Sequence, residues 1–322
     1  MSNTILYDEF QDAMEEALKN NSGREIRVSI MTFHKLNSSY HGVQITDLAE
    51  DQDKSDGTHV EPIFNMDLAY KKFLTEGVSV DDLAKEILAI RTDQSEIPAS
   101  KVEELKKVLI YDQIKDRLVI RATGTENEEF LSNHPHRVYG DIAFVCYILW
   151  DRCKDGEAII CVTNHMLESY KEQGITFDRL FEDTCRNSAN IYPPFTMDIY
   201  KSLGESDMMD IVLPERKAMY VVTNQDFSYG AGVVMYEGFL EEFSRRMFGG
   251  SDLLIIPSSV QETIITNYDP EYDDLENLEQ IIAIENSSLQ KEQILSNHLY
   301  YYETSTGFFG FASEKIGAKE AV

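Results

Sequence analysis

The chain has 322 residues, 43% of them hydrophobic and 11% aromatic, so it is long enough for two ordinary domains or one large one and too apolar for an intrinsically disordered protein. Its formal net charge is −28. Because nucleic-acid backbones and anionic membranes attract cationic proteins, this charge argues against direct binding to nucleic acid or to membranes.

The cysteines and the N-terminus indicate a cytoplasmic protein. None of the four cysteines belongs to a C-x-x-C pair, which argues against a zinc ribbon, and four in a chain of this length are too few for a disulfide framework. The N-terminal residues lack the positive and apolar regions of a secretory signal, and the longest apolar run, IAFVCYILW, is about half of a membrane span.

The first third of the chain predicts helices and strands in alternation. Residues 6–18 place apolar side chains at helical spacing, and EIRVSIMTFHKL alternates as a half-buried strand does. YHGVQITDL is expected to be its neighbour. HVEPIFNM is expected to be a third strand, which Pro62 confines to the edge of the sheet.

Two helix starts are marked by polar residues. Asn65 is predicted to cap a short helix. Ser79 and Asp82 resemble the capping box of a second helix, with Asp in place of the usual Glu or Gln.

Residues 92–101, TDQSEIPASK, are the most linker-like stretch. We therefore expect an N-terminal α+β domain over residues 1–95 and a larger C-terminal α+β domain over residues 96–322. The fold class is α+β, with mixed sheets and interleaved helices rather than a regular doubly wound fold.

The second part of the chain continues the interleaving. KVEELKKVLIYDQI predicts a helix, and EAIICVTN and KAMYVVTN predict two strands with a shared Val-Thr-Asn ending, in which Thr or Asn would cap the following helix. Thr176 is predicted to cap another helix, and Gly249 to end one. SDLLIIPSS suits an interior strand. The segment from Thr304 to Gly307 predicts a hairpin turn, and the terminal EKIGAKEAV is expected to be frayed.

The stretch richest in reactive side chains is FLSNHPHRVYGDIAFVCYILWDRC, residues 130–153. From Val138 onward both alternating faces are apolar, which predicts a central strand covered on both sides, with Cys146 as an inert core residue. Asp141 is the exception, because a buried carboxylate needs a hydrogen-bond donor or a cation.

His134 and His136 flank a proline in the turn before this strand. Two histidines at this spacing can share a metal, with Asp141 as a third ligand, or can act in general acid–base catalysis. Histidines that are merely exposed or hydrogen-bonded would give the same pattern without any catalytic or metal-binding role. We predict neither a metal nor a cofactor.

Two further loops partly resemble known catalytic or nucleotide-binding motifs. Ser258 and Ser259 follow an apolar strand, as a hydrolase nucleophile does, but the G-x-S-x-G context is missing. The loop 229–232 contains two glycines but lacks the phosphate-binding and dinucleotide-binding patterns, which favours a close packing turn. The candidates for a catalytic site are therefore His134, His136, Asp141, Ser258 and Ser259.

Several stretches together resemble a known family. They include EIRVSIMTFHKLNSSYHGVQIT, HPHRVYGDIAFVCYIL, VVTNQDFSYGAGVVMYEGFLEEF and LLIIPSSVQETII. Through these stretches, which extend over nearly its whole length, the chain resembles an uncharacterised bacterial family. This family is one of the domains of unknown function found in multiple copies in gut Firmicutes. The resemblance implies a recurrent bacterial unit associated with mobile elements, and it implies no activity. It favours an Asp at position 141 and a Pro-Ser-Ser turn at 257–259.

The lack of a complete catalytic motif and the high acidity favour a non-enzymatic binding or interaction protein. We expect a protein partner, and the acidity would suit a basic one. The alternative is a hydrolase with its site around the His-Pro-His turn, near Ser258 and Ser259. That alternative requires these side chains to converge on one pocket. The oligomeric state is not predicted.

Overall fold

A computed structural model describes residues 5–35, 38–48, 63–94, 106–153, 156–199 and 217–320. The chain divides into two compact units, the first ending at Lys106 and the second beginning at Lys107. Residues 95–101 of the expected linker lie outside the described residues, and the domain boundary expected between residues 95 and 96 stays a prediction. Within the described ranges, no helix is both long and apolar enough to cross a membrane.

The described residues of the first unit form a three-stranded antiparallel sheet and three helices. Its elements are α1 (Tyr7–Asn21), β1 (Ile26–Lys35), β2 (Ser38–Asp47), β3 (Ile63–Asn65), α2 (Met66–Glu76) and α3 (Val80–Gln94). The strand order β1-β2-β3 places β3 at an edge, as expected, although Pro62 itself lies outside the described residues. The apolar stripe of α1 forms the centre of the core, whose fully buried members include Phe10, Met14, Leu18, Val43, Met66 and Ala84.

Polar side chains begin both later helices of this unit. The Asn65 side chain accepts a hydrogen bond from the backbone N–H of Leu68 (3.0 Å), which confirms it as the N-cap of α2. Ser79 Oγ accepts a bond from the N–H of Asp82 (3.1 Å) and donates one to the Asp82 carboxylate (2.7 Å). The first of these bonds is the one that a capping box predicts.

A hydrogen-bonded cluster joins three elements of the first unit. The Asp67 carboxylate of α2 accepts bonds from the Tyr7 hydroxyl of α1 and from the backbone N–H of His41 on β2 (3.3 Å), and it lies 3.1 Å from His41 Nδ1. Burial alone would raise the pKa of Asp67, but the hydrogen bonds from Tyr7 and His41 outweigh it and lower the pKa. The folded unit therefore favours the charged form of Asp67.

We expect acid to weaken the fold partly through Asp67. A carboxyl group whose pKa is lower in the folded chain stabilises the fold above its unfolded pKa, and this contribution is lost as the pH falls through the folded pKa. The unfolding free energy of the wild type should therefore fall more steeply below about pH 4 than that of Asp67→Asn. The difference should be modest, because the Asp67 side chain is 40% exposed. Urea unfolding at a series of pH values, followed by circular dichroism, measures it; parallel profiles would contradict the expectation.

The second unit contains two antiparallel sheets with interleaved helices. Its helices are α4 (Tyr111–Ile114), α5 (Glu128–Ser132), α6 (Asn164–Glu172), α7 (Phe177–Ile191), α8 (Phe239–Phe248), α9 (Leu275–Asn286) and α10 (Ala312–Glu320). Its strands are β4 (Leu118–Gly124), β5 (His136–Tyr139), β6 (Ile142–Cys153), β7 (Gly156–Cys161), β8 (Pro194–Asp198), β9 (Met219–Asn224), β10 (Leu253–Ile256), β11 (Thr263–Asn267), β12 (Tyr300–Glu303) and β13 (Phe308–Phe311). Short 3₁₀ turns occupy Lys107–Leu109, Lys115–Arg117, Gly230–Met235 and Lys291–Gln293.

The pairing of these strands confirms the α+β class. One sheet has the order β4-β6-β5, with β7 also paired to β6, and the other has the order β13-β12-β10-β11-β9-β8. All described strand pairs are antiparallel. A doubly wound fold would need parallel strands joined by crossover helices. The sequence-based prediction that the fold is not doubly wound therefore agrees with this arrangement.

Strand β6 is the predicted central strand. It pairs with β4 along one edge and with β5 and β7 along the other. Every residue from Ile142 to Ile148 is buried, whichever face it occupies. Burial raises the pKa of the Cys146 thiol to about 12, which fits the inert core role expected for it.

Several further elements match the sequence. Strand β10 lies between β11 and β12, and β12 and β13 form the terminal hairpin around the turn at 304–307. The Thr176 side chain accepts a bond from the N–H of Arg179 (3.2 Å) at the start of α7, and Gly249 ends α8.

Two expectations about local structure are wrong. Residues 314–320 are helical rather than frayed as expected, because Ala312 and Ile316 of α10 pack against Leu254 and Tyr301. The helix expected over residues 101–114 is broken in its described part into a 3₁₀ turn and the four-residue α4. There the carbonyl of Val108 accepts a bond from the Tyr170 hydroxyl (2.5 Å), so a tertiary contact replaces a helical one.

The two Val-Thr-Asn endings behave differently. Thr163 accepts a bond from the N–H of Met166 (3.2 Å) and caps α6, as predicted. Thr223 instead donates to the carbonyl of Gln261 (2.8 Å), and Asn224 Oδ1 accepts bonds from two backbone N–H groups of the loop that follows β9. The shared sequence therefore ends two strands but begins a helix only once.

Candidate functional site

Asp141 has a tyrosine as its partner. It lies in the two-residue turn between β5 and β6, where its Oδ1 accepts a bond from the Tyr300 hydroxyl (2.7 Å) and its backbone N–H donates to the same hydroxyl oxygen (2.9 Å). The Tyr300 hydroxyl also lies 2.8 Å from the carbonyl oxygen of Tyr139. Burial, and then the hydrogen bond and charge of Asp141, raise the pKa of Tyr300. This contact joins the β5–β6 turn to strand β12 of the other sheet.

The two histidines are satisfied by backbone carbonyls. His134 Nδ1 lies 2.7 Å from the carbonyl oxygen of Phe130, and its ring stacks on the Phe130 ring at 4.2 Å between centroids. Burial lowers the pKa of His134. His136 Nδ1 lies 2.8 Å from the carbonyl oxygen of His134. Within the described part of the chain, no group of three or more His, Cys, Asp or Glu side chains is placed to hold a metal ion.

The five candidate residues do not form one hydrogen-bonded constellation. His136 pairs with Val145, whereas Asp141 lies beyond the Tyr139–Ile142 pair at the other end of the hairpin. At about 3.3 Å per strand residue, the two positions are about 10 Å or more apart along the strand. The two serines, at 258 and 259, lie in the turn between β10 and β11, where Ser259 Oγ accepts a bond from the N–H of Gln261 (3.1 Å). Among the described residues, no hydrogen bond joins either serine to the histidines or to Asp141.

A groove in the second unit was not identified from the sequence. It has a volume of about 620 Å³ and lies between α8, the preceding turn, the end of α7 and strand β8, the last of the described strands in its sheet. Its lining residues are Ala189, Pro194, Thr196, Tyr236, Glu237, Gly238, Phe239, Glu242, Phe243, Arg246 and Met247. Pockets of this size accept small ligands or the side chains of a peptide.

The amphipathic pattern of α8 produces this groove. Leu240 and Phe243 face the core and are buried, and the ring of Phe239 stacks on Phe243 at 5.6 Å. Met247, one turn after Phe243, also lines the groove and remains 39% exposed. The helix thus buries one apolar side and leaves part of its apolar surface open beside β8.

The charged groups of the groove are mostly acidic. Glu237 accepts a bond from Arg186 Nε (2.9 Å), and Glu242 is bonded to Arg245 and lies 3.5 Å from Arg246. The hydrogen bond from Arg245 is the main reason why the pKa of Glu242 is lowered. The groove is therefore lined by two carboxylates, each paired with an arginine, and by the Arg246 side chain, beside its apolar residues.

The comparisons with known proteins give a family but no activity. No curated protein matches the chain, and no solved structure does. A family model described as a family of unknown function (DUF5688) matches residues 7–304, which confirms the resemblance to an uncharacterised domain family. With nearly its whole length matched, the chain belongs to this family of unknown function, DUF5688.

Proposed function

We propose that this protein is a cytoplasmic, non-catalytic interaction protein that binds an extended segment of a partner protein in the groove beside α8. The observation that carries the proposal is a groove of about 620 Å³ in which aromatic and methionine side chains of α8 and the preceding turn lie beside β8, the outermost of the described strands of its sheet. Extended peptides commonly bind beside an outer strand, with alternate side chains placed in apolar pockets. Methionine and aromatic side chains are enriched at such interfaces.

The charge of the protein favours a basic segment. The chain carries 57 acidic and 29 basic residues, and Glu237 and Glu242 lie in the groove itself. A partner segment with apolar side chains and flanking Lys or Arg would match both the apolar lining and the surrounding charge. An acidic segment would be repelled by the field of the whole molecule.

The hydrolase alternative lacks a comparable observation. Four of its candidate side chains, those of His134, His136, Asp141 and Ser259, are bonded to backbone groups or to Tyr300 rather than to one another. Bacterial origin and an association with mobile elements remain predictions of the resemblance, and they are compatible with an interaction protein.

A peptide-display experiment tests the proposal and does not require the partner to be identified first. The whole protein is used to select from a library of displayed peptides, and affinities of the selected peptides are then measured by calorimetry. We expect peptides that combine apolar residues with Lys or Arg. Met247→Ser, which removes apolar contact surface from the groove without changing its charge, should weaken their binding by about tenfold or more.

A second exposed methionine provides the matched control. Met31 on β1 is 42% exposed, close to the exposure of Met247, and it belongs to the first unit. Met31→Ser should leave peptide affinity unchanged. Selection of acidic peptides, failure to select any peptide, or equal losses in the two variants would contradict the proposal.

A further inference from the structure

Arg121 is a charged residue in the middle of an otherwise buried strand. Its neighbours on β4, Ile120 and Ala122, are buried, and so is Val145, its partner on β6. Arg121 itself is partly exposed. The side chain therefore starts from a buried strand and extends its charged group toward solvent. Long cationic side chains commonly do this, with the aliphatic stem packed on apolar groups.

Two tyrosine rings hold the guanidinium group. Its central carbon lies 3.9 Å from the centroid of the Tyr229 ring and 5.3 Å from that of Tyr147. A cation over an aromatic face is attracted by the ring, more strongly where water is partly excluded. Tyr147 is buried, so at least one of the two contacts is shielded from solvent. The orientation of the guanidinium is therefore restricted before any ligand binds.

The backbone fixes the position of Tyr229. Its φ is +50°, a conformation that non-glycine residues seldom adopt and that persists only when the surroundings impose it. Here the Tyr229 N–H donates to Gln261 Oε1 (2.7 Å), and the N–H of Gly230 donates to the Gln261 carbonyl (2.9 Å). The loop thus maintains an unfavourable backbone conformation while its tyrosine ring lies against Arg121.

Among the described residues, Arg121 differs from several other arginines because no hydrogen-bond acceptor contacts it. Within the described residues it donates no hydrogen bond and forms no ion pair, although acidic residues outnumber basic ones by about two to one. Arg137, Arg152 and Arg186, in contrast, all bind carboxylates. Rings contact the face of a guanidinium, whereas acceptors bind in its plane, so the N–H groups of Arg121 remain open to a ligand.

We propose that Arg121, held by Tyr147 and Tyr229, is the anchor of a binding site for the carboxylate or phosphate group of a small ligand. The guanidinium fork matches both oxyanions through two parallel hydrogen bonds. Restricting the side chain in advance reduces the entropy that binding would otherwise cost. None of these three residues lines the groove beside α8, so this is a second site that takes ligands of the opposite charge.

Arginine-side-chain NMR tests the site directly. Uniformly ¹⁵N-labelled protein is titrated with inorganic phosphate and, separately, with acetate, at constant ionic strength maintained with chloride. We expect a saturable shift of the Arg121 Nε–Hε signal, which is assigned by its loss in Arg121→Lys. The anion that saturates at lower concentration identifies whether the site prefers phosphate or carboxylate.

The matched control is an arginine in the 3₁₀ turn immediately before the same strand. Arg117 also lies near an aromatic ring, 5.8 Å from that of Trp150, but it donates a hydrogen bond to the Trp150 carbonyl (3.3 Å). Arg117→Gln should leave the anion affinity unchanged, whereas Arg121→Gln should weaken it by at least tenfold, as measured by calorimetry.

Three results of the titrations would overturn the proposal, and a fourth, described below, combines titration with stability. They are a shift of the Arg121 signal that never saturates, an equal response from the Arg117 signal, and full anion affinity in Arg121→Gln. If Arg121→Gln does not fold, the wild-type titration still decides, because it observes the guanidinium itself. A purely structural role would give a stability loss in Arg121→Gln without any anion-dependent shift in the wild type, and that result also overturns the proposal.

Discussion

Gly230→Ala should lower the free energy of unfolding by about 3 kcal/mol or more. An added Cβ would overlap the Thr223 hydroxyl and lie 2.7 Å from both the backbone nitrogen of Asn224 and the carbonyl oxygen of Gln261. Two of these three atoms belong to the backbone, so rotation of a side chain cannot relieve the clash. The loop after β9 would have to separate from the turn before β11, and the hydrogen bond between Gly230 and Gln261 would be lost.

A glycine with open space around it provides the control. Gly174 has a φ of +82°, and among the described residues no heavy atom lies within 4 Å of an added Cβ. Gly174→Ala should therefore cost only the unfavourable backbone conformation, about 1 to 2 kcal/mol. Urea unfolding of the two variants and the wild type measures both values. A loss at Gly230 no larger than that at Gly174 would contradict the prediction, because it would mean that the loop makes room for the added methyl group at little cost.

Tyr300→Phe should destabilise the protein by about 2 kcal/mol. The ring is fully buried, and its hydroxyl is the partner of the Asp141 carboxylate and of the Asp141 N–H. Removing the hydroxyl leaves these partly buried groups without their hydrogen-bond partner. This costs more than the loss of a hydrogen bond that water can replace. Tyr302→Phe is the control, because the Tyr302 hydroxyl makes no hydrogen bond within the described residues, and it should change stability by less than about 0.5 kcal/mol.

A double-mutant cycle shows whether Asp141 acts through Tyr300. Asp141→Ala, Tyr300→Phe and the double variant are compared by urea unfolding. If the two groups stabilise the fold through their mutual contact, the double variant should lose clearly less than the sum of the single losses. Additive losses would indicate that Asp141 has another role.

The sequence was sufficient to predict those features that depend on residues close together in the chain. The double-sided apolar pattern of β6, the cap at Asn65 and the end of α8 at Gly249 all follow from side chains within a few positions of each other. The need of Asp141 for a donor was also predictable, since a carboxylate beside a buried strand needs a partner. The identity of that partner was not, because Tyr300 lies 159 residues further along the chain.

The groove and the Arg121 site were missed for the same reason. Helix α8 was expected, but the open part of its apolar side depends on β8, which no local pattern brings beside it. The signal at Arg121 was a single charge within the apolar run LVIRATG, and it has meaning only once Tyr229 is known to lie against it. Contacts between distant segments are set by packing of the whole unit rather than by local propensity.

The hydroxyl of Tyr300 also bears on how quickly the protein folds and unfolds. Strand pairs such as β5–β6 and β12–β13 join segments close in sequence, whereas the Tyr300–Asp141 contact closes a loop of 159 residues. Because the entropy cost of loop closure grows with length, we expect hairpins to form early and this contact to form after the rate-limiting step. A contact absent from the transition state changes the unfolding rate rather than the folding rate. Tyr300→Phe should therefore shorten the lifetime of the native state while the refolding rate stays near that of the wild type.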